Sequence, residues 1–276
     1  MRWQRALVTG ASSGIGEAFA RQLVAEGTKV VAVARREERL RTLPGDVEVL
    51  VADLSTESGI ASVEARLARG DIDLLVNNAG FGTSGALSDI DAHRVEREVM
   101  LDVVALTRLT RAVLPSLVRQ GHGGVLNVGS IVGYYPVPYL ATYSASKAYV
   151  RSFTQAVADE VRGTGVHVSV LCPGLTRTEF QEASGGGHLR SMPAFVWQSA
   201  DTVARIGLDG LAAGRTVVIA GRFNRLLVLG NALLPNRAVR RIALLVQRAR
   251  GATASRRDLE QEGDSRVSRS RRPRTR

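Results

Sequence analysis

The chain reads as an α/β protein built on a doubly wound, seven-stranded parallel sheet with a helical extension behind it. Two observations predict this. Seven short runs rich in Val, Leu and Ile alternate with amphipathic segments over the first 221 residues, and uniformly apolar short runs are the mark of strands covered on both faces by helices. The first run opens directly into a glycine-rich turn followed by a helical pattern, the order in which such sheets begin. With 276 residues, 45% hydrophobic and 23% charged, the chain is long enough for one large core.

The elements follow in order. Ala6–Thr9 is four residues of buried-strand type, ended by Gly10, and an amphipathic helix runs from Gly14 to Glu26. Val30–Ala34 and Val47–Val51 are the next strands, separated by a short helix over 37–43. Helix 56–67 leads to Leu74–Asn77, and a long helix over 93–119 leads to Val125–Val128. Helix 143–162 precedes Val166–Leu171, and helix 201–213 precedes the last strand, Thr216–Ala220. Strict alternation of strand and helix makes every crossover right-handed and the sheet parallel. The connection 173–200 holds Pro173, Pro193 and Gly185–Gly187 and is too long for an ordinary turn, a length typical of functional lids.

Composition narrows the class. The formal net charge of +11 is not spread along the chain: positions 222–276 hold 15 Arg and 4 acidic residues, while the rest is balanced at 22 and 22. Three organisational units are therefore expected, namely a main domain over 1–221, an amphipathic helical extension over 222–250 and a basic, disordered tail over 251–276. Cys172 is the only cysteine, which excludes an intramolecular disulfide and a zinc cluster of its own. No apolar run approaches the roughly 18 residues of a membrane span, and the start lacks a leader-like apolar segment, so a cytoplasmic protein is expected. Tail arginines such as Arg271, Arg272 and Arg274 have no interleaved aromatic residues for base stacking, so no specific nucleic-acid partner is expected.

Ligands of such sheets bind beyond the carboxyl ends of the strands. There stand Gly10, Ser12, Ser13, Gly14, Ile15 and Gly16 after the first strand, Asp53 and Leu54 after the third, Asn77-Asn78-Ala79-Gly80 after the fourth, Ser130 after the fifth, and Pro173-Gly174 after the sixth. The glycine loop would bring backbone N–H groups at a helix start against a pyrophosphate. Tyr143 and Lys147 are four apart, on one helical face, so the ammonium stands by the phenol and favours its ionised form. An unperturbed tyrosine titrates near ~10 and needs such help to act as an acid/base at neutrality. No residue set points to a metal.

Taken together, TGxxxGIG, NNAG, a serine with YxxxK thirteen residues on, and PG resemble the short-chain dehydrogenase/reductase family over positions 5–221. The resemblance implies a Rossmann-type fold and a nicotinamide cofactor. It implies that Tyr143 exchanges the proton, that Lys147 lowers its pKa and that Ser130 hydrogen-bonds the substrate oxygen while hydride is transferred. It also implies Asp53 at the adenine, Asn78 to Gly80 along the adenosine, and Thr178 at the nicotinamide amide. One position departs from the family: Asp102 occupies the place of an asparagine that helps hold a water on the active-site lysine. An ionised carboxylate accepts but cannot donate a hydrogen bond, and it offsets the charge of Lys147. Asp102 is therefore expected to raise the apparent pKa of Tyr143.

The second strand ends Ala34-Arg35-Arg36. A carboxylate there would hold the 2′-hydroxyl of NAD, whereas Ala34 offers none and the Arg35 guanidinium suits a 2′-phosphate, so NADP(H) is expected ahead of NAD(H). The function expected is the interconversion of an apolar ketone or aldehyde with an alcohol. The alternative is an NADP-binding regulatory or scaffold protein with little turnover, favoured by Asp102 alone. Phe180, Phe195 and Trp197 suggest an apolar pocket wall or the packing of a lid. Family relatives pair through helices equivalent to 93–119 and 143–162, so a homo-oligomer is expected. Arg237, Arg241, Leu244 and Arg248 fall on one side of a helical pattern and Val239, Ile242, Ala243 and Val246 on the other. The extension 222–250 reads either as a lid or subunit contact, or as a peripheral contact with an anionic membrane.

Overall fold

The computed structural model describes residues 2–180 and 192–233 together with Arg241 and Leu244. Gly185–Gly187, the helical pattern of 236–249 apart from those two residues, and the tail 251–276 lie outside the described residues. In chain order the elements are β1 (Arg5–Thr9), α1 (Gly14–Ala25), β2 (Lys29–Ala34), α2 (Glu37–Arg41), β3 (Val47–Val51), α3 (Glu57–Leu67), β4 (Leu74–Asn77) and α4 (Ala92–Val99). They continue with α5 (Leu106–Gln120), β5 (Gly123–Val128), α6 (Ala141–Glu160), β6 (Val166–Cys172), β7 (Thr176–Arg177), β8 (Gln198–Ser199), α7 (Ala200–Ala212), β9 (Val217–Ile219) and α8 (Arg222–Leu233).

Seven strands pair in the order β3-β2-β1-β4-β5-β6-β9, all in parallel, and the chain reverses its direction of growth between β1 and β4. Period-two alternation divides the strand side chains between two cores. Ala6, Val8, Val30, Ala32, Leu74 and Val76 face Phe19 and Leu23 of α1 and Leu208 and Leu211 of α7. Leu7, Val31, Val33 and Leu75 face Ile60 and Val63 of α3 and Leu109 and Val113 of α5. Phe19 is wholly buried, and truncating a side chain of that size to alanine costs about 3–5 kcal/mol.

The expected helix 93–119 forms as one unbroken helical run over 92–120, but it is not α-helical throughout. Between α4 and α5 the backbone widens into a π-helical turn over Met100–Ala105. Such turns insert an extra residue into a helix and are frequent at functional sites. This one contains Asp102. In the connection after β6, β7 pairs with β8 in parallel to form a small second sheet.

Candidate active site

The carboxyl ends of β1 to β6 open on a cavity of about 770 Å3 lined by, among others, Gly10, Ser12, Ser13, Gly14, Ile15, Arg35, Asp53, Leu54, Asn78, Ala79, Gly80, Ser130, Tyr143, Lys147, Pro173, Gly174 and Thr178. The motifs scattered along the sequence thus share one wall. Gly16 and Asp102 stand behind it. A Cβ on Gly16 would sit 2.2 Å from the carbonyl oxygen of Gly10 and 2.4 Å from Asn78 Nδ2. This glycine lets α1 close onto the end of β1.

Ser130 lies two residues past the end of β5 in extended backbone, and its hydroxyl accepts the N–H of Val132 at 3.3 Å, capping the short turn that follows. Tyr143 and Lys147 come from the first turns of α6. The Lys147 ammonium lies 5.6 Å from the centre of the Tyr143 ring, donates to the carbonyl of Val128 at 3.3 Å and stands 3.0 Å from Asp102 Oδ2. The other Asp102 oxygen accepts the N–H of Phe81 at 3.0 Å, tying the π-helical turn to the loop after β4. Burial pushes the Tyr143 phenol up; Lys147 pulls it down, Asp102 pushes it up again, Ser130 favours the phenolate, and the balance is upward. Burial alone would lower Lys147, but Asp102 and Tyr143 outweigh it and the ammonium holds its proton more firmly than an ordinary lysine.

At the other end of the cavity the loop after β4 is stitched to the first strand. Thr9 Oγ1 accepts the N–H groups of Asn78 and Ala79 at 2.9 and 3.0 Å, and Asn78 Nδ2 donates to the Thr9 carbonyl at 2.9 Å. Asn78 therefore holds the glycine loop in shape. Asp53 Oδ1 accepts the N–H and hydroxyl of Ser55, while Oδ2 faces Arg35 at 3.8 Å and Arg97 at 3.6 Å. Burial opposes ionisation of Asp53, but the Ser55 bonds and the two arginines hold its carboxyl below the usual range.

Ser13, the N-cap of α1, makes no capping bond with its own side chain, which leaves the helix start suited to an anion. Arg36 reaches across to the same loop, donating to Ser13 Oγ at 2.8 Å and to Ser12 Oγ at 3.2 Å. It also pairs with Glu179 at 2.9 Å, which Arg39 meets at 2.6 Å. An uncapped helix start, glycine backbone and two guanidinium groups are a donor set that fits a phosphorylated dinucleotide.

A family model described as short chain dehydrogenase matches residues 4–187. The chain belongs to the short-chain dehydrogenases. Like its family it is an NAD(P)-dependent oxidoreductase. A curated relative in Escherichia coli strain K12, an NADP-dependent 3-hydroxy acid dehydrogenase, is 38% identical over 187 residues, covering 63% of this chain and 73% of that protein. A sulfoacetaldehyde reductase of Chromohalobacter salexigens is 36% identical over 191 residues, 66% of this chain and 76% of that protein. Among solved structures, a short-chain dehydrogenase from Sphingobium yanoikuyae in complex with NADPH superposes with a TM-score of 0.76 at 34% identity, covering 83% of this chain and 93% of that one. A bulky-bulky ketone specific alcohol dehydrogenase from Comamonas testosteroni does so at 0.71 and 31%, covering 84% and 94%.

Sequence reasoning missed part of this short-chain dehydrogenase's cavity. Arg36 was passed over in favour of Arg35, because a pair of arginines at a helix start gives no sign of which one turns toward the glycine loop. At the substrate end, the Phe180 ring lies 5.5 Å from that of Tyr143, as a pocket wall should. Phe195 is 74% exposed and packs edge-on against Phe223 at 5.8 Å, and Trp197 donates to the Met192 carbonyl; neither lines the cavity. Met192, Val196, Phe223 and Leu227 do. Asn224 is buried and donates to the Ala220 carbonyl at 2.6 Å, so α8 is packed against the main domain at its first turn. Among the described residues no helix is long and apolar enough to cross a membrane.

Proposed function

We propose that this chain catalyses NADP(H)-dependent interconversion of an uncharged, apolar ketone or aldehyde with its alcohol. The observation that carries the reading is the convergence of Ser130, Tyr143 and Lys147 on one wall whose substrate side is apolar. Apart from Lys147, the charged groups lining the cavity among the described residues are Arg35, Arg36, Asp53, Arg97 and Glu179, which belong to the glycine-loop and adenine end or to its latch. The rest of the lining includes Phe81, Val137, Leu140, Phe180, Met192, Val196, Phe223 and Leu227, with Ser84, Tyr135 and Asn224 as uncharged polar groups, and the Phe180 ring lies against that of Tyr143. Among the described residues the cation lining the Tyr143 end is Lys147, already paired with Asp102, so an anionic substrate would lose its hydration with little compensation.

The nicotinamide cofactor supplies or accepts the hydride. Tyr143 gives its phenolic proton to the carbonyl oxygen in reduction and takes it from the alcohol in oxidation. The Ser130 hydroxyl orients that oxygen and stabilises the charge it gathers. Lys147 keeps the phenol within reach of ionisation against the desolvation imposed by the pocket. Arg35 and Arg36 favour a 2′-phosphate, and Asp53, Asn78, Ala79, Gly80 and Thr178 line the rest of the dinucleotide's path. The test is NADPH oxidation against aldehydes and ketones of graded size, with matched keto acids and the Tyr143→Phe variant. The reading expects neutral ketones to turn over, keto acids to fail and the variant to lose activity. Turnover confined to the acids would reject the substrate class, and full activity in the variant would reject the mechanism.

Two surfaces go with this reading. The Tyr149 ring stacks on Phe153 and its hydroxyl bonds Thr107, giving α5 and α6 a shared outer face suited to a second copy, which sedimentation would detect. The organisation expected is a main domain over 1–221, with 222–250 as an extension and 251–276 as a tail. On α8, Leu226 and Leu229 are more than 60% exposed beside the cavity mouth, and the sequence beyond is rich in arginine. An anionic lipid surface suits that combination. Co-sedimentation of full-length protein with anionic and with neutral vesicles tests it, and equal recovery in both pellets would remove it.

A further inference from the structure

In the last turn of α4, Glu98 is completely buried, and among the described residues neither of its carboxylate oxygens has a hydrogen-bond partner of good geometry. Glu98 stands one helical turn before Asp102, whose Oδ2 likewise meets only the Lys147 ammonium. The groups that bear on it come from every element around it. Asp102 lies ahead and Arg94 behind on its own helical run, Lys147 faces it from α6, and the Thr83 hydroxyl faces it from the loop after β4. Thr83 is itself engaged by Arg94 Nε at 3.1 Å. Two carboxyl groups thus share the buried surroundings of one lysine.

We infer that Glu98 is a positioning residue of the active site: a buried acid whose charge state sets the net charge of the Asp102–Lys147 pair and, through it, the ease with which Tyr143 ionises. This rests on the reading of Tyr143 as the proton-exchanging group. The argument is electrostatic. Out of water, two carboxylates beside a single ammonium leave an uncompensated negative charge, which is costly enough that one acid keeps its proton. Burial raises both acids, but Asp102 is held by the Lys147 ammonium and the Phe81 N–H, so the proton falls to Glu98, whose oxygens have no hydrogen-bond partner of good geometry among the described residues. With Glu98 neutral, Lys147 acts on the phenol against one carboxylate. Once Glu98 ionises it acts against two, and the phenol is harder to deprotonate. Burial, moderated by Thr83 and reinforced by Asp102, places the Glu98 titration at about 7, within the working range of an enzyme. Alcohol oxidation, which needs the phenolate, should therefore respond to Glu98 at neutral and alkaline pH, while carbonyl reduction, which needs the phenol, is protected by it.

The test follows the phenolate absorption of Tyr143 in full-length protein saturated with NADP+, with the Tyr143→Phe variant subtracted, across pH. Neither substrate nor turnover is required. Glu98→Gln should move the Tyr143 titration to lower pH by about one unit, a tenfold gain in phenolate at a fixed alkaline pH. Glu98→Met, which removes the acid and its unpaired oxygens together, should do the same. A purely structural Glu98 would change the melting temperature and leave the titration in place, and that outcome overturns the inference. Should neither variant fold, the wild-type protein decides. The infrared band of a protonated buried carboxylic acid should fade as pH is raised through about 7, and its absence on the acid side of that range would equally overturn it. If Tyr143→Phe retains full turnover with a ketone the mechanism itself fails, whereas loss of turnover there with an unmoved titration in Glu98→Gln rejects only the role of Glu98.

Discussion

Lys147 Nζ and Asp102 Oδ2 stand 3.0 Å apart, with their side chains 6% and 0% exposed. A buried pair of this kind cannot be treated as an asparagine and a lysine with one atom exchanged. Its carboxylate takes up part of the positive charge that would otherwise be spent on Tyr143.

Asp102→Asn should therefore shift the pH profile of alcohol oxidation to lower pH by about one unit, since the amide keeps an oxygen for the Phe81 N–H and removes the opposing charge. An unchanged profile would mean that the exchange is electrostatically silent. Asp102→Leu is a different case. It removes the carboxylate in contact with the buried ammonium, leaving Glu98 as its remaining buried acid, and should cost about 3–5 kcal/mol of stability, visible in chemical denaturation.

Cofactor choice should follow the two arginines after β2. Replacing Arg35 and Arg36 by serine should weaken NADPH binding about ten- to a hundredfold, the range expected for losing charge-assisted hydrogen bonds, with NADH binding little altered. Fluorescence titration with the two reduced cofactors checks this. Equal loss for both would assign the arginines to the shape of the glycine loop, which Arg36 also braces through Ser12 and Ser13.

Gly174 and Asn224 should be coupled. A Cβ on Gly174 would fall 2.4 Å from Asn224 Nδ2, so Gly174→Ala is expected to cost about 1–3 kcal/mol by overpacking. Adding Asn224→Ala makes room, and a double-mutant cycle should return at least half of the loss. Strict additivity would show that the clash is relieved elsewhere.

Far from the cavity, Arg66 is 4% exposed and pairs with Glu48 at 2.8 Å and Asp71 at 2.7 Å. Hydrogen bonding to Arg66 holds both carboxyl groups below their usual range. Carboxylates depressed in the folded state contribute stability above their unfolded pKa and lose it as pH falls through the folded value. Arg66→Met should flatten the decline in stability between about pH 5 and 3, measured by urea denaturation. An equally steep decline in the variant would place the acid sensitivity elsewhere.

Much of this architecture was legible before any coordinates. Strands buried on both faces announce themselves by composition, and their carboxyl ends indicated where the glycine loop, Asn78 and Ser130 would meet, while Tyr143, on a helix, was brought to them by the family resemblance. The long helix was less transparent. Along it Val99 is 37% exposed, whereas Glu98 and Asp102 are buried. A glutamate in an amphipathic pattern reads as solvent-facing because burying a charge is normally prohibitive. Only the arrival of Lys147 from a distant helix makes the inversion tolerable, and no local window contains that information. Nor does the widened turn over Met100–Ala105 have a local signature, since its extra residue is set by what the helix must reach on either side.

That widened turn makes the position of the buried acids a matter of counting. Each residue in a helix advances the side-chain direction by about 100°. Deleting a single position between Met100 and Ala105, even a chemically unremarkable valine, would let the helix regain its ordinary pitch at the expense of rotating α4 against α6. Glu98 would swing away from Asp102 with every side chain still present in the sequence. The segment should accordingly accept exchanges of residue far more readily than changes in length.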